Sequence, residues 1–341
     1  LGLENKFSKI YKEFEIPTNS ETLKLSVIGP ANAGKSSLIN FIIGEKITSV
    51  SERPQTTRKR IAGILTFENK QLQFLDTPGV TTNLTNYKLT TGYNSKLKKN
   101  LKFNRELINS AWQCSNESDL VLVLLDGFKY LNMTNYAEDY IVDRVGEMLG
   151  KKKVIIGFNK IDLIAKEEKV ELEMKEKIEK KLTIKYSDKL KEIENIEYFF
   201  ISVKEQININ LLKDYLLSQT LPGKWEYPQF LKTDQSDYER VMDIIKESYF
   251  VRLKSYLPYV FVQKNLNWDF NETENILRID QLLIVNNIKH KKILVGANGQ
   301  LINQVVQEAT MNLRRLFKMK VKLYIYIKVE DKLNSLNNNE L

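Results

Sequence analysis

The sequence predicts an α/β domain, in which helices cover both faces of a mostly parallel sheet, followed by a smaller α+β domain. Over the first two thirds of the chain, short apolar runs typical of buried strands alternate with helical patterns. Two prolines and a glycine within 221–228 then mark a linker. These signals divide the chain into an N-terminal extension (1–21), the α/β domain (22–221), the linker (222–236), the α+β domain (237–330) and a polar C-terminal tail (331–341).

A glycine-rich loop follows the first predicted strand. Residues Gly29 to Ser36 fit the pattern Gly-x-x-x-x-Gly-Lys-Ser, and they lie between an apolar run and a predicted helix. The backbone N–H groups of such a loop bind phosphate groups, and the partial positive charge of the helix N-terminus assists them. Lys35 can reach the β- and γ-phosphates of a nucleotide, and the Ser36 hydroxyl can hold magnesium. The segment therefore predicts a P-loop.

Three later motifs indicate which nucleotide binds. Asp76-Thr-Pro-Gly79 follows a strand-like run, so its carboxylate can hold the magnesium shell and its glycine N–H can meet a γ-phosphate. In the second motif, Asn159-Lys-Ile-Asp162, the aspartate can accept two hydrogens from guanine while the Lys160 stem covers the base. Backbone N–H groups of Ser202-Val-Lys204 can meet the guanine O6. Because all these motifs occur in this order after apolar runs, the site is predicted to bind GTP.

The charge of the chain favours a polyanionic partner. Its 341 residues carry a net charge of +9, which is typical of proteins that bind nucleic acid. Lys, Asn and Ile are abundant throughout, so a compositional bias of the coding sequence is the alternative. The single cysteine, Cys114, excludes an internal disulfide and suits a reducing compartment. No apolar run approaches the roughly 18 residues of a membrane span, so no integral membrane segment is expected.

The last third of the chain has the pattern of an RNA-binding domain. Its predicted elements are a helix (237–255), two strands (259–263 and 279–285), a second helix (301–317) and a final strand (321–329). A Gly-x-x-Gly loop, Gly296-Ala-Asn-Gly299, lies between two predicted helices, which is the KH arrangement, although a plain turn is the alternative. His290, the only histidine, is expected on the surface near the RNA path. The predicted RNA-binding residues are Lys289, Lys291, Lys292, Gly296, Ala297, Asn298, Gly299, Arg314 and Arg315.

Two long segments have no assigned role. Segment 80–119 is polar, and we expect a mobile switch region that merges into a helix near 105–112. Segment 166–181 alternates Lys and Glu, with apolar residues every four positions, which predicts a solvated surface helix. Either segment contacts organelle-specific proteins or is a tolerated insertion, and both interpretations stay open.

With Gln55-Thr-Thr-Arg58 after Pro54, the motifs resemble those of the Era family, ribosome-assembly GTPases with a C-terminal KH (type II) domain. The resemblance covers about 24–329. It implies that the chain hydrolyses GTP to GDP and phosphate with Mg²⁺. It also implies that the chain binds small-subunit ribosomal RNA near its 3′ end, and that its partners are the pre-small subunit and the proteins of that particle. Eukaryotic relatives work in mitochondria or plastids, so the mitochondrial matrix is expected here, with plastid stroma or bacterial cytoplasm as alternatives.

The resemblance also assigns roles to single residues. Thr57 would be the magnesium ligand of switch I, so the predicted metal ligands are Ser36, Thr57 and Asp76. The predicted nucleotide-binding residues are Gly29, Asn32, Ala33, Gly34, Lys35, Ser36, Ser37, Asp76, Gly79, Asn159, Lys160, Asp162, Ser202, Val203 and Lys204. Val203 replaces the alanine usual in its loop, and Gly296-Ala-Asn-Gly299 lacks the basic residue often found in this family.

The catalytic residues are predicted to be Asn32, Lys35 and Thr57. Val80 stands where Ras-like GTPases place a water-orienting glutamine, and a valine cannot orient water. As in Era-type enzymes, Asn32 would then coordinate a potassium ion beside the phosphates, or else it only fixes the loop by hydrogen bonds. Turnover is expected to be slow and K⁺-stimulated. The first function hypothesis is a GTP-hydrolysing assembly factor, and the alternative is a GTP-stabilised rRNA-binding protein, docked on the subunit with little turnover.

Overall fold

The computed structural model describes residues 14–47, 61–77, 113–132, 136–164, 168–253 and 261–330. The chain divides into two compact units, with the boundary between Asp234 and Gln235 for the described residues. Several sequence predictions lie outside the described residues: the Pro54–Arg58 motif with Thr57, the residues Gly79 and Val80, and segment 80–112.

A mostly parallel sheet forms the centre of the first unit. Its strands follow the order β2-β3-β1-β4-β5-β6, β2 is antiparallel to β3, and the short β7 pairs antiparallel with the start of β1. The strands are β1 (Glu21–Ile28), β2 (Ile61–Phe67), β3 (Lys70–Asp76), β4 (Leu120–Asp126), β5 (Lys153–Asn159), β6 (Glu197–Phe200) and β7 (Leu221–Pro222). The strands β2 and β3 form an antiparallel hairpin.

Helices cover both faces of this sheet, as predicted. They are α1 (Lys35–Ile43), α2 (Gly127–Asn132), α3 (Tyr136–Met148), α4 (Glu168–Lys185), α5 (Leu190–Glu194) and α6 (Ile209–Ser218). All seven residues of β4 are buried, since its alternate side chains enter two separate cores. Leu122 packs with the helices α1 and α6 on one face, and Val123 packs with α3 and α4 on the other.

Segment 166–181 is largely the surface helix that its charge pattern predicts. The helix α4 buries Met174, Ile178 and Leu182 at intervals of four residues, which is one face of a helix. Its charged side chains face solvent, and Lys175 lies 3.7 Å from Glu179 one turn away. The apolar residues that recur every four positions therefore pack into the core, and the rest of the helix surface is solvated as predicted.

The carboxyl ends of the parallel strands meet at one edge of the sheet. In the register, Val27 lies beside Asp76, and Asp126 at the end of β4 lies beside Asn159 at the end of β5. The strand β1 lies between β3 and β4. The chain adds β3 on one side of β1 and then β4 on the other side, so the direction in which the sheet grows reverses at β1. Such a point is where open α/β sheets bind ligands.

The segment predicted as a linker is folded onto the first unit as far as Asp234. Gln71 of β3, fully buried, donates to the Tyr227 carbonyl at 2.8 Å and accepts from the backbone N–H groups of Glu226 and Tyr227. Farther along, Thr233 forms a bridge with Gly63 of β2. Residues 222–234 thus belong to the first unit in their contacts.

The second unit is an α+β domain with the KH (type II) order of elements. It comprises α7 (Asp237–Arg252), β8 (Phe261–Asn271), β9 (Ile276–Val285), α8 (Ile288–Val295), α9 (Gln300–Phe317) and β10 (Lys320–Val329). The strands follow the order β10-β9-β8, with β10 parallel and β8 antiparallel to β9. Val305, Ala309 and Leu313 of α9 are fully buried against this sheet.

The first helix of this unit has a well-defined start. Ser236 accepts a hydrogen bond from the Glu239 N–H, and the Glu239 carboxylate accepts one from the Ser236 N–H. This capping box satisfies two N–H groups that would otherwise have no partner in the helix. The helix begins at Asp237 as predicted and ends at Arg252, three residues before the predicted end.

Candidate functional site

The P-loop between β1 and α1 brings the backbone close to neighbouring strands. A Cβ atom at Gly29 would lie 2.1 Å from the Leu124 carbonyl oxygen, and one at Gly34 would lie 2.2 Å from the Asn159 Nδ2. Gly34 also has φ 98°, in the left-handed region. Both positions therefore require glycine. Asn32 is left-handed too, with φ 65°, a conformation that asparagine tolerates better than most residues.

Lys35 lies buried beneath this loop. Its Nζ donates to the carbonyl oxygens of Gly29 (3.2 Å) and Pro30 (3.0 Å). Burial, which disfavours the charged ammonium, lowers the pKa of Lys35 to about 8, while the negative charge of Asp76 opposes this shift. The amine is thus held at the start of α1, where the P-loop turns around it.

A hydroxyl and a carboxylate meet beside Lys35. The Ser36 Oγ donates to the Asp76 Oδ2 at 2.8 Å, and the Asp76 side chain is fully buried. The following residue, Thr77, is fixed by a hydrogen bond of 2.7 Å from its Oγ1 to the Val27 carbonyl. Hydroxyl and carboxylate oxygens are ligands that Mg²⁺ prefers. The pair therefore has the donor atoms that a magnesium site needs, and the assignment of Ser36 and Asp76 as metal ligands stays a prediction.

Asn159 connects the P-loop with the Ser202–Lys204 loop. Its Nδ2 donates to the Ala33 carbonyl at 2.8 Å, and its Oδ1 accepts from the Val203 N–H at 3.1 Å. Of the backbone N–H groups of Ser202–Lys204 that are predicted to meet the guanine O6, that of Val203 donates to Asn159 in this structure. The Val203 side chain is partly buried against the first core, so the extra methyl groups relative to alanine are accommodated by packing.

Asp162 is oriented by the Ser202–Lys204 loop. The Ser202 Oγ donates to the Asp162 Oδ1 at 2.6 Å and accepts from the Glu205 N–H at 3.1 Å. Ser202 is fully buried, so the serine end of this contact is shielded from solvent. Lys204, in contrast, is exposed, and its amine lies 3.2 Å from the Glu205 carboxylate. The structure thus brings Asp162 and Ser202 together, while the Lys204 amine points away into solvent.

Asp126 belongs to the site, although sequence reasoning had not assigned it. Its Oδ2 lies 2.8 Å from the Lys160 Nζ, and its Oδ1 accepts from the Lys129 N–H at 3.1 Å. Lys160 itself has φ 67°. The signal was present, because Asp126 ends a continuous apolar strand in the same manner as Asp76. The ion pair holds the Lys160 side chain at the edge where the base-recognition motifs lie.

The Gly-x-x-Gly loop of the second unit has the backbone that glycine permits. Gly296 has φ 74° and ψ 177°, and a Cβ there would lie 2.6 Å from the Leu301 Cβ. Gly299 has φ 76° and ψ 9°. Between them, Ala297 and Asn298 are exposed. The tip of the loop is therefore open to solvent, while Gly296 and Gly299 at its ends are half-buried; an open tip suits the approach of a nucleic-acid backbone.

The predicted basic residues fall into two groups. Lys289, Lys291 and Lys292 are exposed on α8, directly before the loop. Arg314 and Arg315 lie in the last turn of α9, about 20 Å along the helix from the loop. The structure therefore gathers the lysines at the loop and places the arginines at the far end of the helix.

His290 lies among the loop lysines and has a local partner. Its Nδ1 is 2.8 Å from the Asn286 Oδ1, and its N–H donates to the Asn287 side chain at the helix start. It is half-exposed, in agreement with the predicted surface position. We assign it to the cap of α8.

Comparison with known proteins agrees with this two-part architecture. Residues 24–160 match the family described as 50S ribosome-binding GTPase, and residues 259–333 match the KH domain family. The chain is 30% identical to GTPase Era of Agrobacterium fabrum over 93% of its own length and 88% of that protein. The chain belongs to the Era family of GTPases. The Era relatives include GTPase Era, mitochondrial, of Danio rerio, with 27% identity over 95% of this chain and 79% of that protein.

Solved Era structures share the fold. Era in complex with MgGDPNP and nucleotides 1506–1542 of 16S ribosomal RNA gives a TM-score of 0.73 at 24% identity, covering 91% of this chain and 94% of that chain. The predicted fold class and the predicted family are therefore confirmed. As an Era-family member the chain is a GTPase. In the described ranges, every helix is too short or too polar to cross a lipid bilayer.

Proposed function

We propose that this chain is an assembly factor of the small ribosomal subunit that binds rRNA near its 3′ end and hydrolyses GTP to time its release. The observation that carries the proposal is the presence, in one chain, of a guanine-nucleotide site and a Gly-x-x-Gly loop. The phosphate end and the base end of the site are linked by Asn159, whose side chain forms hydrogen bonds with the P-loop and with the Val203 N–H. The loop exposes Ala297 and Asn298 at its tip.

The phosphate end of the site has the groups that phosphoryl transfer needs. Catalysis of this reaction consists largely of positioning and charge stabilisation. Mg²⁺ would be held by the Ser36 hydroxyl and the Asp76 carboxylate, with Thr57 as the further ligand implied by the resemblance, and it would neutralise charge on the β- and γ-phosphates. The Lys35 amine donates to two carbonyl oxygens of the P-loop. When GTP binds, it would exchange these partners for phosphate oxygens, because the loop that holds the phosphates turns around the amine.

The base end of the site selects guanine. The Asp162 carboxylate accepts two hydrogens that adenine does not offer, and the Ser202 hydroxyl holds that carboxylate in place. Asp126 restrains the Lys160 side chain beside it. We therefore expect GTP and GDP to compete for the site and ATP to be excluded.

Potassium would supply the positive charge that an arginine finger supplies in other GTPases. Asn32 lies in the P-loop with φ 65°, and we propose that its side-chain oxygen coordinates K⁺ beside the phosphates. A monovalent cation there stabilises charge that develops during hydrolysis. The alternative, in which Asn32 only fixes the loop, predicts equal rates in K⁺ and Na⁺.

The RNA partner is proposed from the second unit and from a relative. Lys289, Lys291 and Lys292 form a cationic approach to the exposed Gly-x-x-Gly loop. The solved Era with a TM-score of 0.73 holds nucleotides 1506–1542 of 16S rRNA. We propose that this chain binds the corresponding 3′ region within the pre-small subunit. The mitochondrial matrix is the proposed compartment, supported by a mitochondrial relative in Danio rerio; bacterial relatives keep the bacterial cytoplasm as the alternative.

Multiple-turnover hydrolysis tests the proposal. GTP turnover is measured on the full chain, with and without purified small subunits, and ATP is the specificity control. We expect slow basal turnover that small subunits accelerate. Subunit binding that requires GTP but shows no turnover beyond a single round would instead establish the docked RNA-binding protein. GTP binding without affinity for subunits would refute the assembly role.

A further inference from the structure

The sheet of the second unit has an outer face on the side opposite its helices. Odd-numbered residues of β9 and β10, such as Leu283 and Leu323, enter the core with the helices. Side chains of a strand alternate between faces, so the even-numbered residues point outward. On β10 these include Lys320, Lys322, Tyr324 and Tyr326, which are all exposed. We call these four residues, with Arg278 of β9 and Lys264 of β8, the outer-face cluster.

Two aromatic residues of this cluster lie on the same exposed face of β10. Tyr324 and Tyr326 keep 43% and 46% of their surface exposed. They are two residues apart on one strand, which separates their Cα atoms by about 7 Å. Extended nucleotides in a single strand are spaced over a similar distance, and aromatic rings on a sheet are a known platform for stacking successive bases.

Tyr324 is held in place by a neighbouring strand. The Arg278 guanidinium lies 4.9 Å from the centre of the Tyr324 ring. Asp280 fixes that guanidinium through two hydrogen bonds of 3.0 Å each, from Nε and from Nη2. The ring and the guanidinium are thus ordered before any ligand arrives, which lowers the entropic cost of binding.

Positive charge surrounds the rings. The strand register places Lys322 beside Arg278. It also pairs Leu282 of β9 with Tyr326 on one side and with Lys264 on the other, so Lys264 lies two strands away from Tyr326 at the same level of the sheet. Within the part of the chain that the structure describes, Lys264, Lys320 and Lys322 form no ion pair. Lysines on an edge strand also prevent pairing with other chains, but that role does not require two exposed aromatic rings between them.

We propose that the outer-face cluster is a second RNA-binding surface, for a single strand whose bases stack on Tyr324 and Tyr326 and whose phosphates meet the lysines. The inference rests on the proposed rRNA binding and adds a site on the opposite face from the Gly-x-x-Gly loop. An acidic protein segment would be attracted by the lysines, but it gains little from two flat rings at this spacing. The cluster therefore favours RNA.

The test uses the full chain and fluorescently labelled single-stranded RNA of 16S rRNA nucleotides 1506–1542. We expect the double variant Tyr324→Ala/Tyr326→Ala to bind about tenfold more weakly or worse, since base stacking on each ring contributes substantially. Tyr324→Phe/Tyr326→Phe keeps both rings and should bind like the wild type. Phe230→Ala, an exposed aromatic of the first unit at 63%, is the matched control. Circular dichroism and GTP affinity verify that each variant is folded.

A charge series tests the cluster without removing the rings. Lys320→Gln/Lys322→Gln should lower the slope of log affinity against log salt by about 1 to 2, because fewer counterions are released. Lys180→Gln on the exposed side of α4 should leave the slope unchanged. Photocrosslinking with thiouridine-labelled RNA should then give adducts on the β10 peptide as well as on the loop peptide.

The variant Ala297→Asp/Asn298→Asp in the Gly-x-x-Gly loop separates failure of this inference from failure of the proposed function. If it weakens binding while both tyrosine variants bind like the wild type, the second surface is refuted and the first stands. If the wild type itself does not bind this RNA, the proposed RNA binding is refuted; if every variant binds as tightly as a wild type that does bind, neither the loop nor the outer-face cluster is the site. Loss of binding in the phenylalanine variant would refute stacking, and displacement of β10 crosslinks by polyglutamate alone would assign the face to an acidic protein segment.

Discussion

The Asn159 side chain donates a 2.8 Å hydrogen bond to the Ala33 carbonyl, and so the end of β5 is tied to the P-loop. The same amide accepts from the Val203 N–H. One buried side chain thus joins the phosphate-binding loop to the loop that follows β6. The predicted guanine-binding and phosphate-binding motifs therefore share a structural element, and a change at Asn159 should disturb both.

Asn159→Ala is expected to lower both stability and nucleotide affinity. The substitution leaves the buried Ala33 carbonyl and the Val203 N–H without their partner, which costs about 1–3 kcal/mol of unfolding free energy. Chemical denaturation and GDP titration measure the two effects. Asn132→Ala is the control, because its side-chain bond to the Phe128 carbonyl is exposed. Equal stability losses in the two variants would contradict the buried-bridge interpretation.

GTP binding should take up a proton above pH 8. Burial lowers the pKa of Lys35 to about 8, so at pH 8.8 the Lys35 amine of the nucleotide-free protein is largely deprotonated. The negative charge of the bound triphosphate favours the protonated amine. Affinity should therefore fall as the pH rises through 8. Calorimetry at pH 8.8, in buffers of different ionisation enthalpy, measures the uptake. Lys35→Arg keeps its charge and should show none.

Without nucleotide, the same group predicts how stability depends on pH. The folded pKa lies below the ordinary value of 10.5, so the unfolded chain binds more protons than the folded chain between about pH 8 and 10.5. The contribution of Lys35 to the unfolding free energy therefore rises with pH in this window. Urea denaturation of the wild type, compared with Lys35→Arg, isolates it. A difference that does not change with pH would contradict the lowered pKa.

Asp126→Asn is expected to weaken GTP binding several-fold. The substitution keeps an acceptor for the Lys129 N–H but removes the charge that lies 2.8 Å from Lys160. Lys160 then loses the charged partner that fixes its side chain at the predicted base site. Equilibrium titration with labelled GTP measures the effect, and Glu205→Gln is the control, because its pair with Lys204 is exposed. Tighter binding in Asp126→Asn would show that the ion pair competes with the nucleotide.

Gly296→Ala should damage the loop of the second unit far more than Gly299→Ala. Gly296 combines φ 74° with ψ 177°, which is accessible almost only to glycine, and its Cβ would overlap Leu301. Gly299 is left-handed, and the nearest atom to its Cβ would be 3.8 Å away, so alanine there costs about 1–2 kcal/mol. Hydrogen exchange of α8 and α9 compares the two. Equal protection would contradict the assigned strain.

GTP turnover should be faster in KCl than in NaCl at equal ionic strength, if Asn32 holds K⁺ as proposed. Asn32→Ala should remove the difference while leaving most of the nucleotide affinity, since the phosphates are held mainly by the loop backbone and Lys35. Steady-state hydrolysis in the two salts measures it. Asn40→Ala serves as a control on α1, where the side chain accepts from the Ile47 N–H. Equal wild-type rates would dispose of the potassium role.

The sequence identified the motifs because each is local. Asp76, Asn159 and Asp162 follow apolar strands within a few residues, so the register of a parallel sheet brings them to one edge regardless of loop length. The stripe of α4 was equally predictable, since Met174, Ile178 and Leu182 repeat with the helical period. The end of α7 was missed by three residues, because the next proline, Pro258, lies six residues beyond Arg252 and signals a later end.

By itself, then, the sequence determined the two-domain fold, the family and the P-loop, guanine and Gly-x-x-Gly motifs, because these depend on periodicity and short spacing. Only the tertiary structure decided which distant groups meet. Asp126 and Lys160 pair across 34 residues, the apparent linker packs on buried Gln71, and Arg314 lies far from the loop that it follows in sequence. Such contacts depend on how strands and helices are placed in space, and neither composition nor local pattern encodes that placement.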